Sequence, residues 1–128
     1  MQGFVFWTGM YNLVLGCALF FPVLLRSWGV RLPDPVPWTE LLACGALYFG
    51  VLLILCGRNL AARGPLVWWA GVLRLMIGAL LAWCAAALQA GAVVGAAGAL
   101  EILMGAVYLA ALPKHLHRTH ADLALDRR

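Results

Sequence analysis

Two opposite charges stand 27 residues apart inside apolar runs, Arg74 in Gly71-Val-Leu-Arg-Leu-Met-Ile-Gly and Glu101 in Gly98-Ala-Leu-Glu-Ile-Leu-Met-Gly. The same pattern of a glycine, two residues and a polar side chain recurs at Gly9 to Asn12 and at Gly45 to Tyr48, and three of the four instances add a glycine four residues on, at Gly16, Gly78 and Gly105. An ionisable group within a lipid-soluble helix is costly, so it faces inward and marks a candidate site. Here the chemistry on offer is an ion pair, a carboxamide and a phenol. Together they could clamp helices, hold the polar head of an amphipathic ligand, or relay a proton through Glu101.

The elements that must place these groups follow from composition. The chain has 128 residues, 65% of them hydrophobic and 11% charged, with a mean hydropathy of +0.93. Apolar stretches of this length exceed core-helix length, so the expected fold is an all-α membrane protein, an antiparallel four-helix bundle. Its spans read as 4–25, 39–56, 66–88 and 91–112, with 114–128 left as a basic tail. A cleavable leader is not expected, since no Lys or Arg precedes Phe4 and no small-residue cleavage site follows Phe20-Phe21-Pro22.

Lys and Arg are shared unevenly between the two faces. Arg58, Arg63, Lys114, Arg118, Arg127 and Arg128 fall on the side of the N-terminus, against Arg26 and Arg31 on the other. The positive-inside rule then puts both termini in the cytoplasm. The net charge of +4 is explained by that collar against anionic headgroups, and nucleic acid is not an expected partner. The first loop carries Pro33, Pro35 and Pro37 between Trp28 and Trp38, a stiff turn with aromatic anchors. The second, 57–65, reads as a basic turn with Pro65 in the first turn of the third span. The third, at Gln89 and Ala90, is short enough to force a hairpin. The segments from Gly71 and from Gly98 align without gaps and read as copies of one another.

Counting about 1.5 Å per residue from the end shared with the termini, Asn12 and Arg74 lie roughly 12 Å deep, Tyr48 roughly 13 Å and Glu101 roughly 16 Å. They form one expected layer. The flanking glycines put each polar group on a small-residue stripe, and Gly91 with Gly95 extends such a stripe on the fourth span, suiting close packing within or between protomers. Tyr11, Glu40 and Tyr108 are further candidates beside the layer, Glu40 also suiting the start of its helix electrostatically.

Other chemistry is poorly served. Cys17, Cys44, Cys56 and Cys84 make no C-x-x-C pair and read as small buried hydrophobes, with a Cys44 to Cys84 disulfide as the alternative. His115, His117 and His120 lie among basic residues with no cysteine or carboxylate to complete a metal set, and no histidine within a span could hold haem. No nucleophile elbow or phosphate loop is present, so neither a catalytic residue nor a cofactor is expected.

The stretch Thr39-Glu-Leu-Leu-Ala-Cys-Gly-Ala-Leu-Tyr-Phe-Gly-Val-Leu-Leu-Ile-Leu-Cys-Gly-Arg resembles the DoxX-like membrane proteins, and the opening Trp7-Thr-Gly-Met-Tyr11 is similar to that of small bacterial four-helix membrane proteins. The resemblance implies an accessory role in the bacterial inner membrane, with Glu40, Gly45, Gly50 and Arg58 as matched positions. The function expected is a non-catalytic subunit of a larger membrane complex or homo-oligomer, or a binder of lipid or quinone. A small proton-coupled transporter or channel using Glu101 and Arg74 is the alternative.

Overall fold

A computed structural model describes residues 1–31 and 37–126 and, among them, only helices: α1 (Gln2–Leu19), α2 (Pro22–Ser27), α3 (Pro37–Arg58), α4 (Leu60–Ala87), α5 (Ala92–Leu116) and α6 (His120–Ala124). The residues of α3 from Thr39 onward, α4 and α5 are each long and apolar enough to cross a membrane and mark the chain as a membrane protein. Pro33, Pro35, Arg127, Arg128 and the side chains of Pro37 and Trp38, all singled out above, lie outside the described residues.

Three boundaries differ from expectation. The first span does not run from 4 to 25: α1 stops at Leu19, because Pro22 has no N–H to continue the ladder and pushes Phe21 to φ −113°, ψ 76°. At 18 residues α1 is about 27 Å long, a little under the hydrocarbon thickness. The second loop, expected over 57–65, contracts to Asn59, whose side chain accepts the Ala62 N–H at 3.3 Å and starts α4 five residues before Pro65. The tail expected from 114 is structured too. A capping box between Thr119 and Asp122 begins α6, which docks by burying Leu123, while Trp68 and Trp69 donate their indole N–H groups to His120 Nδ1 and Ala124 O, each at 3.1 Å. The third connection is the expected hairpin, with Gln89 at φ 51° and Gly91 at φ 109° turning the chain.

The long helices pack as two antiparallel pairs, α1 with α3 and α4 with α5. In each pair glycines bring the backbones together. A Cβ at Gly50 would sit 2.9 Å from Gly9 O and 2.9 Å from Leu13 Cδ2; one at Gly105 would sit 2.8 Å from Gly71 O and 3.1 Å from Leu75 Cδ2. Gly16 meets Leu47 as Gly78 meets Ile102. One offset of 62 residues therefore relates α1 to α4, and one of 55 relates α3 to α5. The repeat visible in the structure is thus a hairpin, and it is written in the sequence as Val5-Phe-Trp-Thr-Gly-Met-Tyr-Asn-Leu against Val67-Trp-Trp-Ala-Gly-Val-Leu-Arg-Leu. The similar segments at Gly71 and Gly98 lie in one hairpin, where Gly78 and Gly98 face each other.

The two hairpins join at the end that carries the termini. There Val5, Leu53, Cys56, Leu60, Val67, Tyr108, Leu112 and Leu123 are buried in one core. Toward the other end few side chains are buried, although Arg31 N–H still donates to Ala90 O at 3.2 Å and Gly91 lies against Gly29. The space between the hairpins at that end is not filled.

Candidate functional site

The site lies halfway along the long helices, where the shared core stops and the open space begins. Arg74 from α4 and Glu101 from α5 form the expected ion pair, Nη1 to Oε2, with Arg74 fully buried and Glu101 5% exposed. The guanidinium has further contacts: its Nη2 donates to Thr8 O at 3.4 Å, and its Cζ lies 5.6 Å from the ring centre of Phe49 and 5.7 Å from that of Tyr108. Thr8 Oγ1 hydrogen-bonds Tyr108 Oη and donates to Val5 O at 2.9 Å, and Phe4 meets Tyr108 edge-on at 5.6 Å. These contacts tie α1 and α3 to α4 and α5. The layer thus clamps the two hairpins to one another.

Beyond the clamp the space between the hairpins is a cavity of about 620 Å³ with apolar walls, and Asn12 and Glu101 contribute to its inner end. Most of its exposed lining, Leu41, Leu42 and Tyr48 of α3 and Leu73 and Ile77 of α4, belongs to two helices, with Val93 of α5 besides, so it opens chiefly on the side of α3 and α4. A second cavity of about 540 Å³, bordered by Arg31 and Thr39, adjoins it toward the loop end and shares Leu19, Val30 and Leu42 with it.

The polar groups at the inner end are incompletely bonded. Arg74 engages Oε2 of Glu101, and among the described residues Oε1 has no hydrogen-bond partner. Asn12 is 4% exposed, and its carboxamide likewise has no partner among the described residues. Arg74 Nε is buried without one. A buried polar group left unmade costs about 1 to 3 kcal/mol. Repeat symmetry accounts for the asymmetry of the site, because the first hairpin has Asn12 and Ala46 where the second has Arg74 and Glu101.

Not every expected residue joins this layer. Tyr48 is 74% exposed and stands at the cavity mouth, so its phenol does not complete the layer as expected. Gly45 packs on nothing, since a Cβ there would meet no atom within 4 Å, and Gly91 caps α5 as its turn residue instead of lying on a packing stripe. Gly9, Gly16, Gly71, Gly78, Gly98 and Gly105 do pack as expected, and Gly95 lies against Ala85. Tyr11 is half-buried, within electrostatic range of Glu101 and Arg74, and Glu40 is exposed in the first turn of α3. Of the positions matched by the DoxX-like resemblance, Gly50 packs, whereas Glu40, Gly45 and Arg58 are exposed. Cys17, Cys44, Cys56 and Cys84 are all free thiols, and only Cys56 is buried, which corrects the expectation that all four are. No group of histidine, cysteine and carboxylate side chains among the described residues could hold a metal.

Two contributors had no sequence signal of their own. Thr8 precedes Asn12 by four residues and so shares its face, and Phe49 follows Tyr48 by one and so is rotated inward from it.

Compared with known protein families, curated proteins and solved structures, the chain has no match. The site is therefore read from its own geometry. It combines a buried ion pair with an open apolar chamber whose only deep polar groups, among the described residues, are a carboxamide and one carboxylate oxygen.

Proposed function

We propose that this chain is a non-catalytic membrane protein of the bacterial inner membrane, four spans with both termini in the cytoplasm, that binds a lipophilic ligand between its two hairpins. The ligand is a lipid or quinone whose head reaches Asn12 and Glu101 and whose chain leaves between α3 and α4. The observation that carries this reading is that Asn12 and Glu101, two nearly buried residues, line the end of an otherwise apolar cavity with polar atoms that no described residue bonds. A cavity of about 620 Å³ falls within the range of small-molecule sites, which bury an apolar body and fix it by a few polar groups. The DoxX-like resemblance adds an accessory role in a larger membrane assembly.

Filling the chamber tests the reading. Ala46 is half-buried on its wall, at the position in α3 that Glu101 takes in α5. Ala46→Trp is expected to keep or raise the melting temperature of the solubilised protein while removing the lipophilic molecule that mass spectrometry finds co-purifying with the parent. Equal co-purification by parent and variant would reject the cavity as the binding site.

The ion pair favours a second reading, a proton-coupled transporter in which Glu101 cycles between Arg74 and a substrate. It requires proton uptake by vesicles containing the protein, abolished by Glu101→Gln. No such uptake would remove it and leave the binding reading in place.

A further inference from the structure

We infer that the inter-hairpin cavity selects an uncharged headgroup that both donates and accepts hydrogen bonds, a hydroxyl or primary amide on a long hydrocarbon chain, over anionic and cationic heads. The inference rests on the ligand-binding reading above and specifies the chemistry of that site.

Charge decides the class first. Glu101 is already neutralised by Arg74, so the inner end of the cavity carries no net charge to offset the desolvation of a charged head. A carboxylate or phosphate would face Glu101 Oε1 across the chamber, with the Arg74 guanidinium turned away onto Glu101, Thr8 O, Phe49 and Tyr108. An ammonium would gain one carboxylate oxygen that Arg74 already screens. Among the described residues Arg31 is the other charged side chain bordering the open space, and it is exposed at the loop end, beyond the second cavity and away from Asn12. An anionic head attracted to Arg31 would therefore stay in the wet mouth.

Hydrogen bonding then narrows the class. Glu101 Oε1 only accepts, so the head must donate; the Asn12 carboxamide does both, so the head is best able to accept as well. A hydroxyl meets both demands at once. A head with acceptors only, such as an oxidised quinone, would leave Oε1 without a proton.

Three photoreactive probes of equal chain length test this on the whole protein in bilayer nanodiscs: a hexadecyl alcohol, acid and trimethylammonium, each with a diazirine three carbons from the head. The alcohol is expected to label residues within a turn of Asn12 and Glu101, such as Leu15 and Ala97, at least about fivefold more than either charged probe, the difference expected from one or two hydrogen bonds. Asn12→Leu is expected to cut that labelling by a similar factor while keeping or raising the melting temperature, because it exchanges an unpartnered buried amide for an apolar group. A merely structural Asn12 would instead lower it. Labelling by the acid or the ammonium equal to that of the alcohol, or alcohol labelling that Asn12→Leu leaves intact, overturns the headgroup assignment alone. Absence of labelling at this depth by all three overturns the binding reading as well.

Discussion

Arg74→Gln and Glu101→Gln are each expected to destabilise the detergent-solubilised protein by about 3 to 5 kcal/mol, the loss seen when one member of a buried ion pair is removed. Arg74 is fully buried, so removing its carboxylate leaves a guanidinium among Phe49, Tyr108 and a backbone carbonyl with no counter-charge. Removing Arg74 leaves the Glu101 carboxylate facing an apolar cavity. Exchanging the two charges should recover only part of the loss, because an arginine at 101 cannot reproduce the contacts to Thr8 O and the two rings. Arg74→Met combined with Glu101→Leu should melt closer to the parent than either single variant, since a buried pair replaced by apolar groups of similar volume is often tolerated. Thermal unfolding of the set in one detergent checks this, and two single variants melting with the parent would show that the pair does not hold the hairpins together.

The second large effect falls on the glycine crossings. A Cβ at Gly78 would lie 2.7 Å from Gly98 O, and one at Gly98 would lie 2.9 Å from Gly78 O and from Ala82 N. These are backbone atoms of a helix and cannot move alone, so Gly78→Ala must push α4 and α5 apart. Overpacking of this kind costs about 1 to 3 kcal/mol, against which the better helix propensity of alanine returns less than about 1 kcal/mol. Gly45→Ala is the matched control, since its Cβ meets nothing within 4 Å, and it is expected to be neutral or slightly stabilising. Equal melting temperatures for Gly78→Ala and Gly45→Ala would remove the close crossing.

How far these features could be read from sequence depended on the kind of signal each residue sends. Arg74 and Glu101 were legible because a charge in an apolar run has few places to go, and their depth and the tight turn at Gln89 and Ala90 left one partner for each. Tyr48 was misplaced because a tyrosine, unlike a charge, tolerates an exposed site with its apolar ring outward, and α3 is apolar on every face, so nothing in its periodicity marked Gly50, Leu53 and Cys56 as the inner side. The end of α1 was legible in principle at Pro22 but hidden by the apolar run continuing to Leu25. Hairpin repetition was in the sequence as well, at an offset that adjacent segments do not reveal. The cavity was not legible, because it depends on how two hairpins that touch through Thr8, Tyr108 and Arg74 diverge beyond them.

The most direct measurement is a cryo-electron-microscopy map of the protein in a lipid nanodisc, resolved well enough to show the side chains midway along the long helices. The account predicts elongated density that begins within hydrogen-bonding distance of Asn12 and Glu101 Oε1, fills the space between the hairpins and leaves between α3 and α4. Hairpins collapsed onto one another, with Asn12 bonded to a protein group and no space beside Glu101, would contradict it.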